Sequence, residues 1–314
     1  MTAVLGVRGL SVRFRLRDAV VRAVTDVSFD LEPGRLLALV GESGCGKSVL
    51  AAALLGLLPG NAEVRGRVLL GAEDLSAAGE RTLARRVRGR RIALVPQSAA
   101  TALTPVRTAR SQLAETLREL RPDVRDLDAE ADRLAERAGL RPADLDRYPH
   151  ELSGGMAQRV VLALALAGDP EVILADEPTN GLDRPLVERT VDALRGLADD
   201  GRAVLLITHD LAAAERVATD VAVMYASRIV EQGPADEVFA DPWHPYTRGL
   251  LDATPARGFR PLPGHPPDLS ALPAGCVFRP RCPRRDTCTD DPAPRRVAGR
   301  VLACAHPVEK EVSC

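Results

Sequence analysis

Eight residues, Gly41-Glu42-Ser43-Gly44-Cys45-Gly46-Lys47-Ser48, fit the spacing G-x-x-x-x-G-K-[ST]. Glycines in such a run let the backbone wrap so that successive N–H groups face phosphate oxygens. A helix opening at Lys47, with Val49 in its first turn, adds positive potential at the same place. Lys47 can reach the β- and γ-phosphates, and Ser48 can ligate Mg²⁺. The plain alternative is a glycine-rich turn with an incidental Lys-Ser. Two observations count against it. The run lies between an apolar strand and a helical stretch, where a phosphate loop has to sit. And of 42 Lys and Arg residues only Lys47 and Lys310 are lysine. A compact ammonium fits inside such a loop where a planar guanidinium would crowd.

A second site follows from residues 171–177, Glu-Val-Ile-Leu-Ala-Asp176-Glu177. Here an apolar strand ends in two carboxylates. Ligands of open α/β sheets bind at the carboxyl ends of strands. Asp176 is placed to hold Mg²⁺ directly or through water, and Glu177 to polarise an attacking water. Two acids after a strand are by themselves commonly solvated turn residues. Paired with a phosphate loop they read as chemistry.

The elements that must position these groups are legible in the hydrophobic pattern. Residues 10–14 and 21–31 read as antiparallel strands, and 35–40 as a short strand buried on both faces. Residues 47–58 read as helix up to Pro59-Gly60. Residues 109–146 are mostly helical and 159–168 helical again. Then strands at 171–175, 203–207 and 221–225 alternate with helices at 185–198 and 211–218. That alternation predicts an α/β fold with a parallel sheet covered on both faces. The helical block between Gln97 and Ser153 interrupts it as an inserted subdomain, over about 98–160. After residue 238 Pro and Cys become frequent and periodicity fades. The expected division is 1–238 for the nucleotide-binding domain and 239–314 for a Pro/Cys-rich extension.

Composition narrows the class. Hydrophobic residues make up 46% and charged residues 27% of 314, which argues against disorder. A net charge of -1 gives no support for broad binding to nucleic acid or anionic lipid. The longest strongly apolar run, 160–168, is too short to cross a bilayer. Residues 1–10 carry Arg8 and no apolar stretch of signal-peptide length. The expectation is a cytoplasmic protein that a partner holds at the inner face of the membrane.

Leu152-Ser153-Gly154-Gly155-Met156-Ala157-Gln158-Arg159 closely resembles the signature motif of ABC ATPases, usually LSGGQ. Gln97 in Leu94-Val95-Pro96-Gln97 resembles the Q-loop glutamine. Asp183, closing Pro178-Thr179-Asn180-Gly181-Leu182-Asp183, resembles the D-loop aspartate. His209 in Leu206-Ile207-Thr208-His209-Asp210 resembles the switch histidine. The resemblance covers roughly residues 7–237. It implies a P-loop NTPase of ABC ATPase type: a mixed sheet with an antiparallel β subdomain, an inserted helical subdomain and a small Cys-rich C-terminal element. It also implies a head-to-tail dimer, in which ATP lies between one subunit's phosphate loop and the other's Ser153, Gly154, Gly155 and Met156. In that frame Glu177 is the base and His209 contacts the γ-phosphate. Gln97 couples Mg²⁺, held with Ser48 and Asp176, to a transmembrane partner. Phe14, on the early strands, is the candidate to stack on adenine; a core phenylalanine is the commoner role. The sequence departs from the family where Met156 replaces the usual Gln and at Asn180-Gly181, and neither change removes a phosphate or metal ligand. Cys45, at a variable loop position, leads us to expect that thiol alkylation blocks ATPase activity and that ATP protects.

Residues 148–156, Tyr-Pro-His-Glu-Leu-Ser-Gly-Gly-Met, resemble the dipeptide/oligopeptide/nickel uptake branch. So do 241–251, Asp-Pro-Trp-His-Pro-Tyr-Thr-Arg-Gly-Leu-Leu, and the stretch from Pro263 to Cys276. In this setting His244 reads as a turn residue rather than a ligand. Cys276, Cys282, Cys288 and Cys304 are spaced C-x5-C-x5-C-x15-C, with Cys314 at the terminus. Clustered Cys in a cytosolic protein suggests metal or redox chemistry. Four thiolates suit a [4Fe–4S] cluster or Zn²⁺, although the short C-x2-C knuckle of zinc sites is missing. Peptide-transporter ATPases that carry a cluster here tilt the resemblance to iron–sulfur; four reduced thiols remain the alternative.

The function implied is an ATP-hydrolysing subunit that energises import of peptides. Its partners would be two permease subunits, a second ABC ATPase subunit (identical or paralogous) and, indirectly, an extracytoplasmic solute-binding protein; nucleic acid is not expected. A nickel or other small-solute importer is the near alternative. A soluble ABC ATPase of DNA repair or translation is the distant one. The short insertion, single motif set and near-neutral charge count against it. A purely regulatory binding module would not need Glu177 and His209.

Overall fold

The computed structural model describes residues 3–288 and 291–308; Lys310 and Cys314 lie outside the described residues. In chain order the strands are β1 (Leu5–Arg15), β2 (Val20–Leu31), β3 (Leu36–Val40), β4 (Ala62–Leu70), β5 (Glu73–Asp74), β6 (Ile92–Val95), β7 (Val172–Asp176), β8 (Ala203–Thr208), β9 (Asp220–Tyr225), β10 (Arg228–Pro234), β11 (Arg295–Val297) and β12 (Arg300–Leu302). The chain divides into two compact units.

The first unit is built mainly from Leu31–Leu36 and Ala77–Ile207. Its strands β6, β7 and β8 are parallel, with Ile92 opposite Val172 and Val172 opposite Ala203. Residues 172–175 and 203–207 are fully buried, which is why they form unbroken apolar runs rather than alternating ones. The stretch read as one helical block, 109–146, resolves into helices Ala109–Leu120 and Leu127–Arg137 and a 3-10 turn Pro142–Asp146. Thr108 and Asp126 cap the two helices, accepting from the backbone N–H of Ser111 and Ala129. Pro122 prevents one from running into the other. Both helices pack on a third, Gly154–Leu166, which also meets β6. That third helix begins five residues before the sequence pattern suggests. Gly154-Gly155 has poor helix propensity, but Ser153 caps the turn and the helix is buried along most of its length.

The second unit holds Gly6–Asp30, Leu37–Ser76 and the chain from Thr208 onward. One sheet has the order β2-β1-β4-β5, with β4 and β5 antiparallel. In the other, β3 lies parallel to β9, β10 antiparallel to β9, β12 antiparallel to β10 and β11 antiparallel to β12. Residues past 238, where regular periodicity fades, still form helix Pro245–Asp252 and the β11–β12 hairpin. They enter the same core as the strands: Val40, Val223, Tyr225, Phe239, Tyr246 and Phe278 belong to one buried cluster.

A buried acid ties this extension down. Glu231 on β10 is fully buried. Its carboxylate accepts from the N–H of Trp243 at 2.9 Å and of His244 at 3.0 Å, with Arg300 at 3.6 Å. Burial raises its pKa, opposed by those two N–H groups. His244 caps the next helix, its Nδ1 accepting from the N–H of Tyr246 at 3.0 Å. Burial depresses its pKa to about 3, so it is a neutral turn residue, as the sequence suggests.

Glu231→Leu strips two buried N–H groups of their acceptor and is expected to destabilise the folded chain by about 3 kcal/mol. Urea unfolding followed by circular dichroism measures this. A change below about 0.5 kcal/mol, the range of an ordinary surface substitution, would show that the anchor is dispensable.

Candidate functional site

The phosphate loop joins β3 to helix Lys47–Leu54. Its shape depends on two glycines that admit no side chain. A Cβ on Gly41 would lie 2.1 Å from the Met224 carbonyl oxygen of β9. A Cβ on Gly46, where φ is +109°, would lie 2.0 Å from that of Ala23 on β2. Neighbouring strands thus press against the loop's two ends and force its curl. Lys47 is buried, its ammonium donating to the carbonyls of Gly41 at 2.8 Å and Glu42 at 3.1 Å. This fixes the cation at the mouth of the loop. Ser43, Gly44 and Ser48 are exposed there, and Val49 is half-buried behind them. Phe14 is half-buried near the end of β1.

Two loop residues have surroundings that the sequence does not signal. The Cys45 thiol is not displayed to solvent. The residue is 4% exposed, its Sγ lies 3.9 Å from the Lys47 ammonium, and burial pushes its pKa up. Glu42, expected among the nucleotide-binding residues, is committed to protein partners. Its N–H donates to the Tyr246 hydroxyl at 3.0 Å, and its carboxylate accepts from both Nη atoms of Arg281 at 2.7 and 3.1 Å. Tyr246 and Arg281 come from the C-terminal extension, more than 200 residues away, and no local spacing signals them.

In the other unit, β7 ends at half-buried Asp176 and buried Glu177. Glu177 has φ +49°, a left-handed conformation costing a non-glycine residue about 1–3 kcal/mol. The surroundings hold it there. Its N–H donates to the Ile207 carbonyl at 2.9 Å, and its own carbonyl accepts from Asn180 at 3.1 Å.

The signature residues stand at the N-terminus of helix Gly154–Leu166. Ser153 and Gly154 are exposed, Met156 is half-buried and Gly155 is buried against Leu186. Ser153 Oγ accepts from the Met156 N–H at 3.3 Å, so the hydroxyl sits among helix N-terminal donors that attract an anion. Asp183 is an exposed cap, its Oδ1 accepting from the Leu186 N–H at 3.0 Å. Gln97 is exposed just past β6. Gln97, His150, Gly154 and Gly181 line one cleft of about 700 Å³, so stretches read from the sequence as Q-loop, signature and D-loop border a common cleft on this unit, although Ser153 and Asp183 themselves do not line it. His209 is exposed beyond β8, between a Thr208 hydroxyl that accepts from the Asp210 N–H at 3.0 Å and an Asp210 carboxylate that caps the next helix. Asp176 and Gln97 in the first unit carry carboxylate and amide oxygens, and Ser48 in the second a hydroxyl, each a donor type that Mg²⁺ accepts.

The tail cysteines depart from the expected [4Fe–4S] site. Cys276, Cys282, Cys288 and Cys304 are buried and unpaired by disulfides. Yet among the described residues no group of three or more His, Cys, Asp or Glu side chains is arranged to hold a metal ion. Their thiols are packed in the interior of the extension. Burial, reinforced by the neighbouring thiols, raises the pKa of Cys276, Cys282 and Cys304, the last to about 11.

Residues 24–180 match the ABC transporter family, and residues 230–288 match the oligopeptide/dipeptide transporter C-terminal region. The chain is 42% identical over 294 residues to the oligopeptide transport ATP-binding protein OppD of Mycobacterium tuberculosis, covering 90% of this chain and 48% of that protein. It thus spans about half the length of that relative. It is 40% identical to the dipeptide transport ATP-binding protein DppD of Bacillus subtilis, covering 91% of this chain and 88% of that one. For OppD of Escherichia coli the identity is 38%, with 98% and 94% covered. Among solved structures, a dimeric post-hydrolysis state of the ATP-binding cassette MJ0796 bound to ADP and Pi superposes with TM-score 0.65 at 23% identity, over 74% of this chain and 98% of that one. This likeness shows the fold.

The buried Cys45 thiol should alkylate slowly. Iodoacetamide at pH 7 is expected to label it at least ~10-fold more slowly than a free cysteine, with the rate rising as pH climbs past 9. Peptide mass spectrometry of timed samples measures this. Labelling at the free-cysteine rate would mean that the thiol faces solvent.

Proposed function

This chain belongs to the ABC transporter family of ATPases, with an oligopeptide/dipeptide transporter C-terminal region, and from that premise we propose that it binds and hydrolyses ATP to power peptide import through a membrane permease. The observation that carries the reading is the phosphate loop: Gly41 and Gly46 forced by carbonyl approach, Lys47 fixed at its mouth, and a helix N-terminus behind it.

The residues divide the work as follows. N–H groups of residues 43–48 and the Lys47 ammonium bind the phosphates. Ser48, Gln97 and Asp176 would hold Mg²⁺, which would supply neutralisation of phosphate charge when bound. Glu177 accepts a proton from the attacking water, and its strained backbone holds the carboxylate in place for that transfer. His209 contacts the γ-phosphate. Phe14 stacks on adenine. The exposed Ser153–Met156 turn and Asp183 serve a second ATPase subunit, identical or paralogous, closing over ATP held on this one's loop. Closure follows because ATP bridges both surfaces and its products do not.

Among the described residues no helix is long and apolar enough to cross a membrane. On the family resemblance, the chain acts from the cytoplasmic face, docked on two permease subunits. The cleft beside Gln97 receives a permease helix, and an extracytoplasmic binding protein delivers the peptide. Sequence identity to peptide-transport ATPases over most of their length favours peptide over nickel cargo.

Reconstitution with its permeases in ATP-loaded vesicles tests the reading. Wild-type protein is expected to drive uptake of labelled peptide and not of nickel. Lys47→Ala should abolish ATP binding. Glu177→Gln should bind ATP, trap the closed dimer and turn over about 10²-fold or more slowly. Undiminished turnover in either variant would remove the assigned chemistry. Nickel uptake without peptide uptake would reassign the cargo.

A further inference from the structure

Glu42, second in the phosphate loop, is tied down at every polar group it owns. Its carbonyl accepts from the Lys47 ammonium at 3.1 Å and from the Cys45 N–H at 3.4 Å. Its N–H and carboxylate are held by the C-terminal extension, through the Tyr246 hydroxyl and the Arg281 guanidinium.

Arg281 is well placed to hold rather than to swing. Its side chain is only 4% exposed. Nε donates to the Pro263 carbonyl at 2.8 Å, leaving both Nη atoms for the carboxylate. The guanidinium carbon lies 5.7 Å from the centre of the Tyr225 ring. Tyr225 and Tyr246 pack with ring centres 4.4 Å apart, and Phe278 stands edge-on to both at 5.2 and 5.5 Å. A two-pronged guanidinium–carboxylate pair fixes orientation as well as distance. An aromatic box behind it removes the freedom to reorient.

We propose that Arg281, assisted by Tyr246, is a positioning residue for ATP binding: it holds Glu42, and through the Glu42 carbonyl it holds the Lys47 ammonium, in the geometry that receives phosphate. The inference rests on the loop being the ATP site. It makes the C-terminal extension part of the nucleotide machinery, acting from behind the loop without touching the nucleotide.

Fluorescent-ATP titration of the full chain, with thermal melting beside it, tests the assignment. Arg281→Gln is expected to weaken ATP binding by about 5- to 20-fold, within the usual range of coupling between sites, while kcat at saturating ATP stays within about 2-fold. Arg281→Lys should fall between, because an ammonium cannot make the two-pronged contact. In a Glu42→Gln background Arg281→Gln should add less than about 2-fold, since the link it would break is already weakened. Tyr246→Phe keeps the ring, loses the hydroxyl acceptor and should weaken binding in the same direction; it carries the test should Arg281→Gln not fold. Unchanged ATP affinity in Arg281→Gln or, failing its expression, in Tyr246→Phe overturns the proposal. So does a loss as large in the Glu42→Gln background as in wild type. Lys47→Ala distinguishes the failures. If it also leaves binding intact, the ATP reading itself is wrong. If it abolishes binding while Arg281→Gln does not, only the positioning role falls.

Discussion

Two backbone carbonyls, from Met224 and Ala23, come so close to Gly41 and Gly46 that a single added carbon would overlap them. This approach makes the phosphate loop a mould rather than a flexible turn. Strands β2 and β9 set it, so the loop inherits its rigidity from two sheets. Lys47 then closes the mould by donating back to Gly41 and Glu42. Buried β3 delivers the chain to the loop, and the following helix supplies N–H groups at a defined height. A binding site for a highly charged ligand needs such preorganisation, because donors that must reorder on binding lose affinity to their own entropy.

The acidic end of β7 solves a different problem with the same logic. The role proposed for Glu177, acting on water, asks for a carboxylate held in a fixed place. Glu177 sits in a left-handed backbone held through Ile207 and Asn180. The fully buried parallel strands β7 and β8 are stiff enough to sustain that strain. Ser153 and Asp183 show a contrasting economy: both cap helices while standing exposed. A side chain that ends a helix is held in position by the helix, and so is ready for a partner without further ordering.

The C-terminal extension looks from its composition like an appendage, yet it shares a core with β3 and β9. Glu231, with two N–H donors and Arg300 around it, anchors its start. Its aromatic residues stack behind the phosphate loop and its Arg281 reaches Glu42. The cysteines sit in this packed interior, buried and free of disulfides.

Much of this was legible in order and spacing. G-x-x-x-x-G-K-S between an apolar strand and a helix states its own chemistry, since few other ligands need that backbone. Unbroken apolar runs identified β3, β7 and β8, because strands covered on both faces cannot alternate. What remained hidden was long-range or counter to propensity. Gly154-Gly155 hid the first turn of a helix that Ser153 and burial stabilise. Short elements past residue 238 left no periodic trace, because a few residues per element are too few to show one. The grip of Tyr246 and Arg281 on Glu42 depends on contacts across more than 200 residues. The amino-acid order by itself determined which groups could bind phosphate, metal and water. Tertiary packing alone decided which of them face the ligand and which are held from behind, because a side chain's direction is set by neighbours that its local sequence does not contain.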